Sequence, residues 1–351
     1  MPIFGLEMTA TYQQYILNFK RPSGTSRGVL NTKETWFIIL NSEERQGIGE
    51  CGLLRGLSVD DREDYEAQLQ WTCKNIHLGL GRLYTENVEF PSIQFGLEMA
   101  FKSLESQMPF ELFPSEFTRG KASIPINGLI WMGDEAFMKE QIKEKIKAGF
   151  CCIKMKIGAI DFETEINLLK SIRQEFSSRD MELRVDANGA FQPDEALEKL
   201  KRLSDLDLHS IEQPIKSGQF QTMAKLCKET PLPIALDEEL IGIFSVTKKR
   251  EMLQTIRPQY IILKPSFIGG FRGTQEWILL AEKQKTGWWI TSALESNVGL
   301  NAIAQWTFTL QSNMVQGLGT GSLFTNNFES PLQIKNGTLH YDNTLNWTFK
   351  L

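Results

Sequence analysis

The sequence has few cysteines and histidines and no long apolar run. Its five cysteines and three histidines are scattered over 351 residues and form no C-x-x-C pair, so we expect reduced thiols and neither a His-built zinc site nor a Ser-His-Asp triad. No apolar run approaches the roughly 18–20 residues of a transmembrane helix, and the first residues lack the basic segment and apolar core of a signal peptide. The expected location is cytoplasmic, with no membrane partner.

Charge of one sign is also lacking. Lys and Arg total 38 against 43 Asp and Glu, for a net charge of −5. No basic field is available to hold nucleic acid, so a small-molecule partner is expected instead. With 41% hydrophobic and 23% charged residues, the composition is that of an ordinary globular protein. The sequence leaves the oligomeric state open.

Residues 121–321 alternate between short apolar runs and amphipathic segments of helical period, which is typical of successive βα units. Eight runs qualify as strands: SIPINGLI, CIKMKIG, LRVDANG, SIEQPI, IALDEEL, IILKPSF, WITSALES and VQGLGTG. No βα unit follows the eighth run. The pattern predicts a TIM-type (β/α)7β barrel, with an open doubly wound sheet as the alternative.

The flanking segments follow other patterns. Residues 1–120 predict an α+β domain, with antiparallel strands at TYQQYILNF, ETWFIILNS and GIGECG followed by helices near Arg62–Leu78 and Ile93–Ser106. Residues 322–351 contain GTLHYDNTLNWTF, which we interpret as a hairpin that returns to the first domain. The stretch Lys20–Gly28 has the composition of a hairpin loop.

Charged residues recur at the ends of five consecutive predicted strands, about one βα unit apart. They are Lys154 and Lys156, then Asp186, Glu212, Asp237 and Lys264. Burying unpaired charges in a parallel sheet is costly, and the C-terminal rim is where TIM barrels carry their active sites. We therefore expect these side chains to meet at one rim.

The residue types at this rim suggest a chemistry. Three carboxylates without His or Cys form a hard oxygen cage suited to Mg²⁺. Lysines beside such a cage suit acid–base work, and Lys154 and Lys156, two apart on one strand, point the same way. We expect each ammonium to lower the pKa of the other.

As a set, these motifs resemble the enolase superfamily and, within it, the muconate lactonizing enzyme subgroup. The matching segments are KMK at 154–156, VDANG, IEQP, ALDE and LKPS. The resemblance implies a barrel with an N-terminal capping domain that the C-terminal segment completes. It also implies Mg²⁺, or Mn²⁺ in its place, on Asp186, Glu212 and Asp237.

The same resemblance implies roles for the remaining polar residues of the set. Lys156 would be the base and Lys154 would tune it. Lys264 would lie on the opposite face of the substrate. Asn188 would support the metal site, while Glu238-Glu239 departs from the Asp-Glu-Ser often found in the subgroup.

The segments Ser292–Leu300 and Gly317–Gly321 resemble o-succinylbenzoate synthases of the menaquinone pathway. That resemblance implies dehydration of 2-succinyl-6-hydroxy-2,4-cyclohexadiene-1-carboxylate to aromatic 2-succinylbenzoate. Ser292, Gly319 and Thr320 would then bind substrate, and the loop Lys20–Gly28 would close over the barrel mouth with Arg21 or Arg27 near the succinyl carboxylate.

Other reactions stay open at this point. Dipeptide epimerases of the subgroup carry an Asp-x-Asp after the eighth strand, where this sequence has Gly319-Thr320-Gly321. Those backbone N–H groups suit a carboxylate, although the segment could equally be an ordinary tight turn. A dipeptide epimerase or an N-succinylamino acid racemase is the alternative, and a non-catalytic barrel that binds phosphate at Gly317–Gly321 is a more distant one.

Overall fold

The N-terminal part is an antiparallel sheet backed by helices. The computed structural model describes residues 8–25, 28–42 and 45–351. The sheet has the order β1-β2-β3 (Thr9–Thr25, Gly28–Ser42, Arg45–Cys51), and the helices are α1 (Tyr65–Lys74), a short 3-10 turn (Ile76–Leu78), α2 (Gly79–Glu86) and α3 (Pro91–Glu105). This confirms the predicted α+β character, although α2 was not predicted. Helix α3 packs so closely on β3 that only glycine fits at position 49: a Cβ there would stand 1.9 Å from the Gly96 carbonyl oxygen.

Seven parallel strands follow, in the sheet order β11-β10-β9-β8-β7-β6-β5. The strands are β5 (Gly128–Ile130), β6 (Cys152–Lys156), β7 (Glu182–Asp186), β8 (Ser210–Glu212), β9 (Ile234–Leu236), β10 (Tyr260–Leu263) and β11 (Gly287–Ile290). The helices are α4 (Glu135–Lys147), α5 (Phe162–Glu175), α6 (Ala196–Ser204), α7 (Phe220–Glu229), α8 (Val246–Ile256), α9 (Pro265–Ile268), α10 (Gly270–Lys283) and α11 (Asn297–Thr309). A 3-10 turn, Glu238–Leu240, follows β9.

The eighth predicted strand closes the sheet by two single parallel bridges. Gln316 pairs with Ile126 on one side and Gly317 pairs with Thr291 on the other. The Gln316 N–H donates to the Pro125 carbonyl at 2.9 Å, and the Gly317 N–H donates to the Ile290 carbonyl at 2.8 Å. A TIM-type barrel is therefore confirmed, and the open doubly wound sheet is wrong.

The C-terminal hairpin corrects the sequence interpretation. Its strands are β12 (Leu332–Lys335) and β13 (Thr338–Tyr341), so the turn lies at Asn336-Gly337 and not within residues 337–349. Both turn residues have positive φ (49° and 67°), which the Asn-Gly pair tolerates well. The hairpin pairs with β4 (Ser123–Pro125) rather than with the N-terminal sheet. The predicted strand at residues 123–130 is therefore two strands: β4 pairs with the hairpin, and β5 is the first strand of the barrel.

The segments beside the hairpin do contact the N-terminal sheet. Phe328 and Phe349 lie edge-on against Phe37 of β2, with ring centres 5.4 and 5.3 Å away. The Asn326 side chain accepts a hydrogen bond from the Asn18 N–H of β1 at 2.8 Å. Phe37 belongs to the same apolar core as the barrel interior. None of the described helices is long and apolar enough to cross a membrane.

Glu98 of α3 joins the N-terminal domain to the barrel. Its carboxylate accepts the Phe271 N–H at 2.6 Å and the Arg272 N–H at 3.2 Å, at the first turn of α10. Burial raises the pKa of Glu98 to about 7, although these N–H groups act in the opposite direction. The contact thus holds a partly buried carboxyl group whose pKa lies near neutral pH.

A pH-dependent stability contribution follows. Because the pKa is raised in the folded state, the contribution of Glu98 is present at acidic pH and is lost as the pH rises towards 7. Glu98→Gln keeps an acceptor without the charge, so its Tm relative to wild type should rise between pH 5 and pH 8.5, as measured by thermal unfolding. Exposed Glu105→Gln on the same helix is the control. A Tm difference for Glu98→Gln that does not vary with pH would contradict this assignment.

Candidate active site

The polar residues predicted at the strand ends do meet at one rim of the barrel. Strand register sets their level, since Lys156 pairs with Asp186 and Asp186 pairs with Glu212 across adjacent strands. Asp237 directly follows β9 and Lys264 directly follows β10. Lys154, Lys156 and the three carboxylates are buried, and the Lys264 side chain is 13% exposed.

Lysine ammonium groups are bound directly by the carboxylates. The Asp186 Oδ2 atom accepts a hydrogen bond from Lys156 Nζ at 3.0 Å and forms an ion pair with Lys154 Nζ at 3.1 Å. Lys154 also donates to Glu212, and Lys264 donates to Asp237. The expectation that Lys154 and Lys156 point the same way is confirmed.

The electrostatics differ from the sequence expectation at Lys154. Burial lowers its pKa, but the carboxylates of Asp186 and Glu212 outweigh burial and raise the pKa above the ordinary lysine value. The predicted lowering of the Lys154 pKa by its lysine neighbour is therefore wrong. Lys264 behaves in the same way, because the charge of Asp237 overcomes the effect of burial and raises its pKa.

The carboxylates divide into two kinds. Asp186 has its pKa lowered, since the charges of Lys154 and Lys156 outweigh burial. Glu212 has its pKa raised to about 8 by burial and by the negative charge of Asp186. Glu212 therefore keeps its proton to a higher pH than Asp186 does.

Asn188 forms a direct hydrogen bond with Lys156. Its side-chain oxygen accepts from Lys156 Nζ at 2.6 Å, and its side-chain nitrogen donates to Glu238 at 3.0 Å. Its backbone N–H donates to Asp186 Oδ1 at 3.0 Å, with φ at 44°. Glu238 therefore fixes the orientation of the Asn188 amide.

Gln213 is a residue that the sequence argument missed as a positioning group. Its side-chain oxygen accepts the backbone N–H groups of Asp237 at 3.2 Å and Glu239 at 3.3 Å, while its nitrogen donates to Glu239 at 2.8 Å. This amide ties the end of β8 to the end of β9. The signal was present in IEQP, where a buried amide directly follows a rim carboxylate.

The predicted substrate-binding residues lie on the opposite side of the rim. Ser292 donates to Glu295 at 2.7 Å and accepts from the Thr320 hydroxyl at 2.8 Å. No described group accepts a hydrogen bond from the backbone N–H of Gly319 or Thr320. The structure brings Ser292, Gly319 and Thr320 together, and their substrate-binding role stays a prediction.

A cavity of about 500 Å³, here called the rim cavity, opens above these groups. Lys154, Lys156, Asp186 and Lys264 lie on its polar side. The apolar walls come from both domains: Leu54 and Leu57 from the N-terminal domain, and Leu129, Trp131, Phe267 and Leu294 from the barrel. A flat, partly apolar ligand with one acidic end fits this distribution.

The prediction of a loop at Lys20–Gly28 is wrong for most of the stretch, because β1 runs to Thr25 and β2 begins at Gly28. This end of the hairpin reaches the barrel, but the two arginines predicted there are not equivalent. Gly24 forms an antiparallel bridge with Met132, at the end of the first barrel strand. Arg21 lies 3.9 Å from Glu144 of α4 and its side chain is 63% exposed. Arg27 falls outside the described residues. Contact of the loop with a substrate stays a prediction.

The three carboxylates have the chemistry of a Mg²⁺ site. Within residues 8–25, 28–42 and 45–351, no three His, Cys, Asp or Glu side chains stand in a ready metal-binding arrangement, and lysine ammonium groups bind the carboxylates instead. Glu212 Oε1 is buried and has no hydrogen-bond partner among the residues that the structure describes. An unpaired buried carboxylate oxygen in an all-oxygen set fits a hard divalent cation.

The buried ion pairs predict a large stability effect of Lys154. Lys154→Met removes the cation shared by Asp186 and Glu212, and breaking one side of a buried ion pair costs about 3–5 kcal/mol. Urea unfolding in EDTA should show that loss. Lys139→Met breaks an exposed pair with Glu135 and should cost at most about 1 kcal/mol. Equal costs for the two variants would contradict the buried network.

Comparison with known proteins places this site in a family. A model described as Enolase C-terminal domain-like matches residues 137–344, and one described as MenC, N-terminal domain, matches residues 8–104. The o-succinylbenzoate synthase of Desulfotalea psychrophila is 48% identical over 95% of this chain and 98% of its own length.

Solved structures agree. The crystal structure of MenC from Desulfotalea psychrophila has a TM-score of 0.84 at 45% identity and covers 95% of this chain and 99% of its own. A dipeptide epimerase from Cytophaga hutchinsonii, solved with Mg and the dipeptide D-Ala-L-Val, shares the fold at a TM-score of 0.80 and 18% identity, covering 98% and 96%. The resemblance inferred from the motifs is confirmed: the chain belongs to the o-succinylbenzoate synthase family of the enolase superfamily.

Proposed function

We propose that this protein is an o-succinylbenzoate synthase, a hydro-lyase that converts 2-succinyl-6-hydroxy-2,4-cyclohexadiene-1-carboxylate to 2-succinylbenzoate in menaquinone biosynthesis. The observation that carries the proposal is the pairing of Lys156 with Asp186 and of Lys264 with Asp237 on opposite sides of one cavity. We propose a cytoplasmic location, and the five free cysteines are consistent with a reducing compartment.

Asp186, Glu212 and Asp237 would hold Mg²⁺, which Mn²⁺ could replace. The bound cation would supply positive charge to the ring carboxylate and so stabilise the enediolate that forms when the adjacent proton leaves. Glu212 Oε1, which has no partner within the described residues, is the oxygen most in need of such a cation. Gln213 holds the Asp237 backbone in place for this role.

Lys156 would move the proton. As the free amine it takes the proton from the carbon next to the carboxylate, and the resulting ammonium returns that proton to the departing hydroxyl, so that water leaves and the ring becomes aromatic. Asn188 and Asp186 hold the Lys156 nitrogen at 2.6 and 3.0 Å. The Trp131 ring centre lies 5.8 Å from the same nitrogen and limits its freedom.

Lys264 would stabilise charge from the other side. It follows the sixth barrel strand and Lys156 ends the second, and strands four places apart in an eight-membered barrel face each other across the interior. A syn dehydration needs one proton carrier, so the Lys264 ammonium acts on the enediolate electrostatically. Leu129, Phe267 and Leu294 form apolar walls for the ring.

Racemisation of N-succinylamino acids is a second candidate, because lysines on opposite strands are what a two-base proton transfer requires. Dipeptide epimerisation is less favoured, since Gly319-Thr320-Gly321 offers no carboxylate for a substrate ammonium. Phosphate binding without catalysis would leave the buried lysine–carboxylate network without a role.

The lysine variants test the proposal. Formation of aromatic product, followed by absorbance, should fall at least about 100-fold in Lys156→Ala. Lys264→Ala should also be strongly impaired, and Lys264→Arg should retain more activity because arginine keeps the charge but cannot serve as a base. Exposed Lys248→Ala should match wild type.

The assay has two controls. EDTA should abolish turnover and Mg²⁺ should restore it, and the same preparations should be assayed for racemisation of N-succinylamino acids and dipeptides. Near wild-type dehydration by Lys156→Ala alongside an inactive Lys264→Ala would show that the base is Lys264 and not Lys156. Racemisation without any dehydration would favour the second candidate.

A further inference from the structure

A second cavity of about 280 Å³, here called the side cavity, adjoins the rim cavity. It lies between residues 20–23 of β1, helix α4 and residues 319–323. The two cavities have five lining residues in common: Asn127, Leu129, Trp131, Gly319 and Thr320. They meet where the barrel closes only by the single bridges at Gln316 and Gly317.

The side cavity carries an excess of positive charge. Lys20, Arg21 and Lys145 line it, and Glu144 is the one carboxylate among its described lining residues. Glu144 lies 3.9 Å from Arg21. Lys145, by contrast, forms no ion pair or hydrogen bond with any described residue, and its ammonium lies 5.3 Å from the centre of the Phe150 ring.

The position of Lys145 is built into the barrel. A Cβ on Gly128 would stand 3.0 Å from Lys145 Cγ and 3.1 Å from its Cδ, so the glycine in β5 leaves room for the lysine stem to lie across the strand. Burial lowers the pKa of Lys145, and the nearby Glu144 charge opposes that effect only in part. A half-buried ammonium without a carboxylate partner favours a bound anion.

We propose that Lys145 binds the second, distal carboxylate of the substrate in the side cavity while the reacting end occupies the rim cavity. This inference rests on the proposed function, because that function provides a substrate with a succinyl carboxylate. Gly319 and Thr320 line both cavities, and their backbone N–H groups donate no hydrogen bond to any described residue. These N–H groups are therefore available to the succinyl arm.

Lys145 is therefore a specificity determinant and takes no part in proton transfer. A substrate with the same ring and no distal charge would lose this contact but keep every contact at the rim. The contact should act mainly on substrate binding and little on the chemical step, since it is made equally in ground and transition states.

Kinetics of Lys145→Met test the assignment. Methionine keeps an unbranched apolar stem against Gly128 and removes the charge. KM for the cyclohexadiene dicarboxylate should rise about tenfold with kcat within about twofold of wild type, and Lys145→Arg should recover part of the loss. Lys147→Met, exposed on the same helix, should leave both constants unchanged. An unchanged KM in Lys145→Met, or a loss confined to kcat, would overturn the proposal.

Binding measured without turnover separates this inference from the proposed function. Calorimetry on the Mg²⁺-loaded protein compares 2-succinylbenzoate with its mono-methyl ester at the succinyl carboxyl group. Wild type should prefer the diacid about tenfold, and Lys145→Met should lose most of that preference. Wild-type protein that shows this preference but no dehydration would refute the function and support the subsite. Active wild type whose preference survives in Lys145→Met would refute the subsite alone.

Discussion

The arrangement depends on one constraint, the burial of three carboxylates and three lysines at the end of a parallel barrel. Asp186 pairs with Lys154 and Lys156, Glu212 with Lys154, and Asp237 with Lys264. Removing Lys154 leaves Glu212 without a lysine, and removing Lys264 does the same to Asp237. Neighbouring amides provide further hydrogen bonds: Asn188 accepts from the Lys156 ammonium, and Gln213 accepts from the backbone N–H of Asp237.

The N-terminal domain is coupled to this rim by buried hydrogen bonds. Glu50 of β3 accepts the N–H groups of Ser296 and Gly299, both at 2.8 Å, at the start of α11. Through these contacts the domain that supplies Leu54 and Leu57 to the cavity is held at a fixed position relative to the lysines.

The sequence predicts the site well because strand spacing and charge at strand ends are local signals. The barrel and the meeting of Lys156 with Asp186 follow from them, whereas Ser292 and Thr320 were predicted from the family resemblance. Pairing across long loops is not local: the β12–β13 hairpin joins β4, and the division of residues 123–130 into two strands depends on that partner. The raised pKa of Lys154 and the unpaired Lys145 depend on which groups surround them in space, which no spacing rule reports.

The most direct test of the central claim is a crystal structure with Mn²⁺ and 2-succinylbenzoate, using anomalous scattering to locate the ion. The account predicts one ion contacting Asp186, Glu212, Asp237 and the benzoate carboxylate, with Lys156 and Lys264 on opposite faces of the ring. An ion bound elsewhere, with the lysines still paired to the three carboxylates, would contradict it.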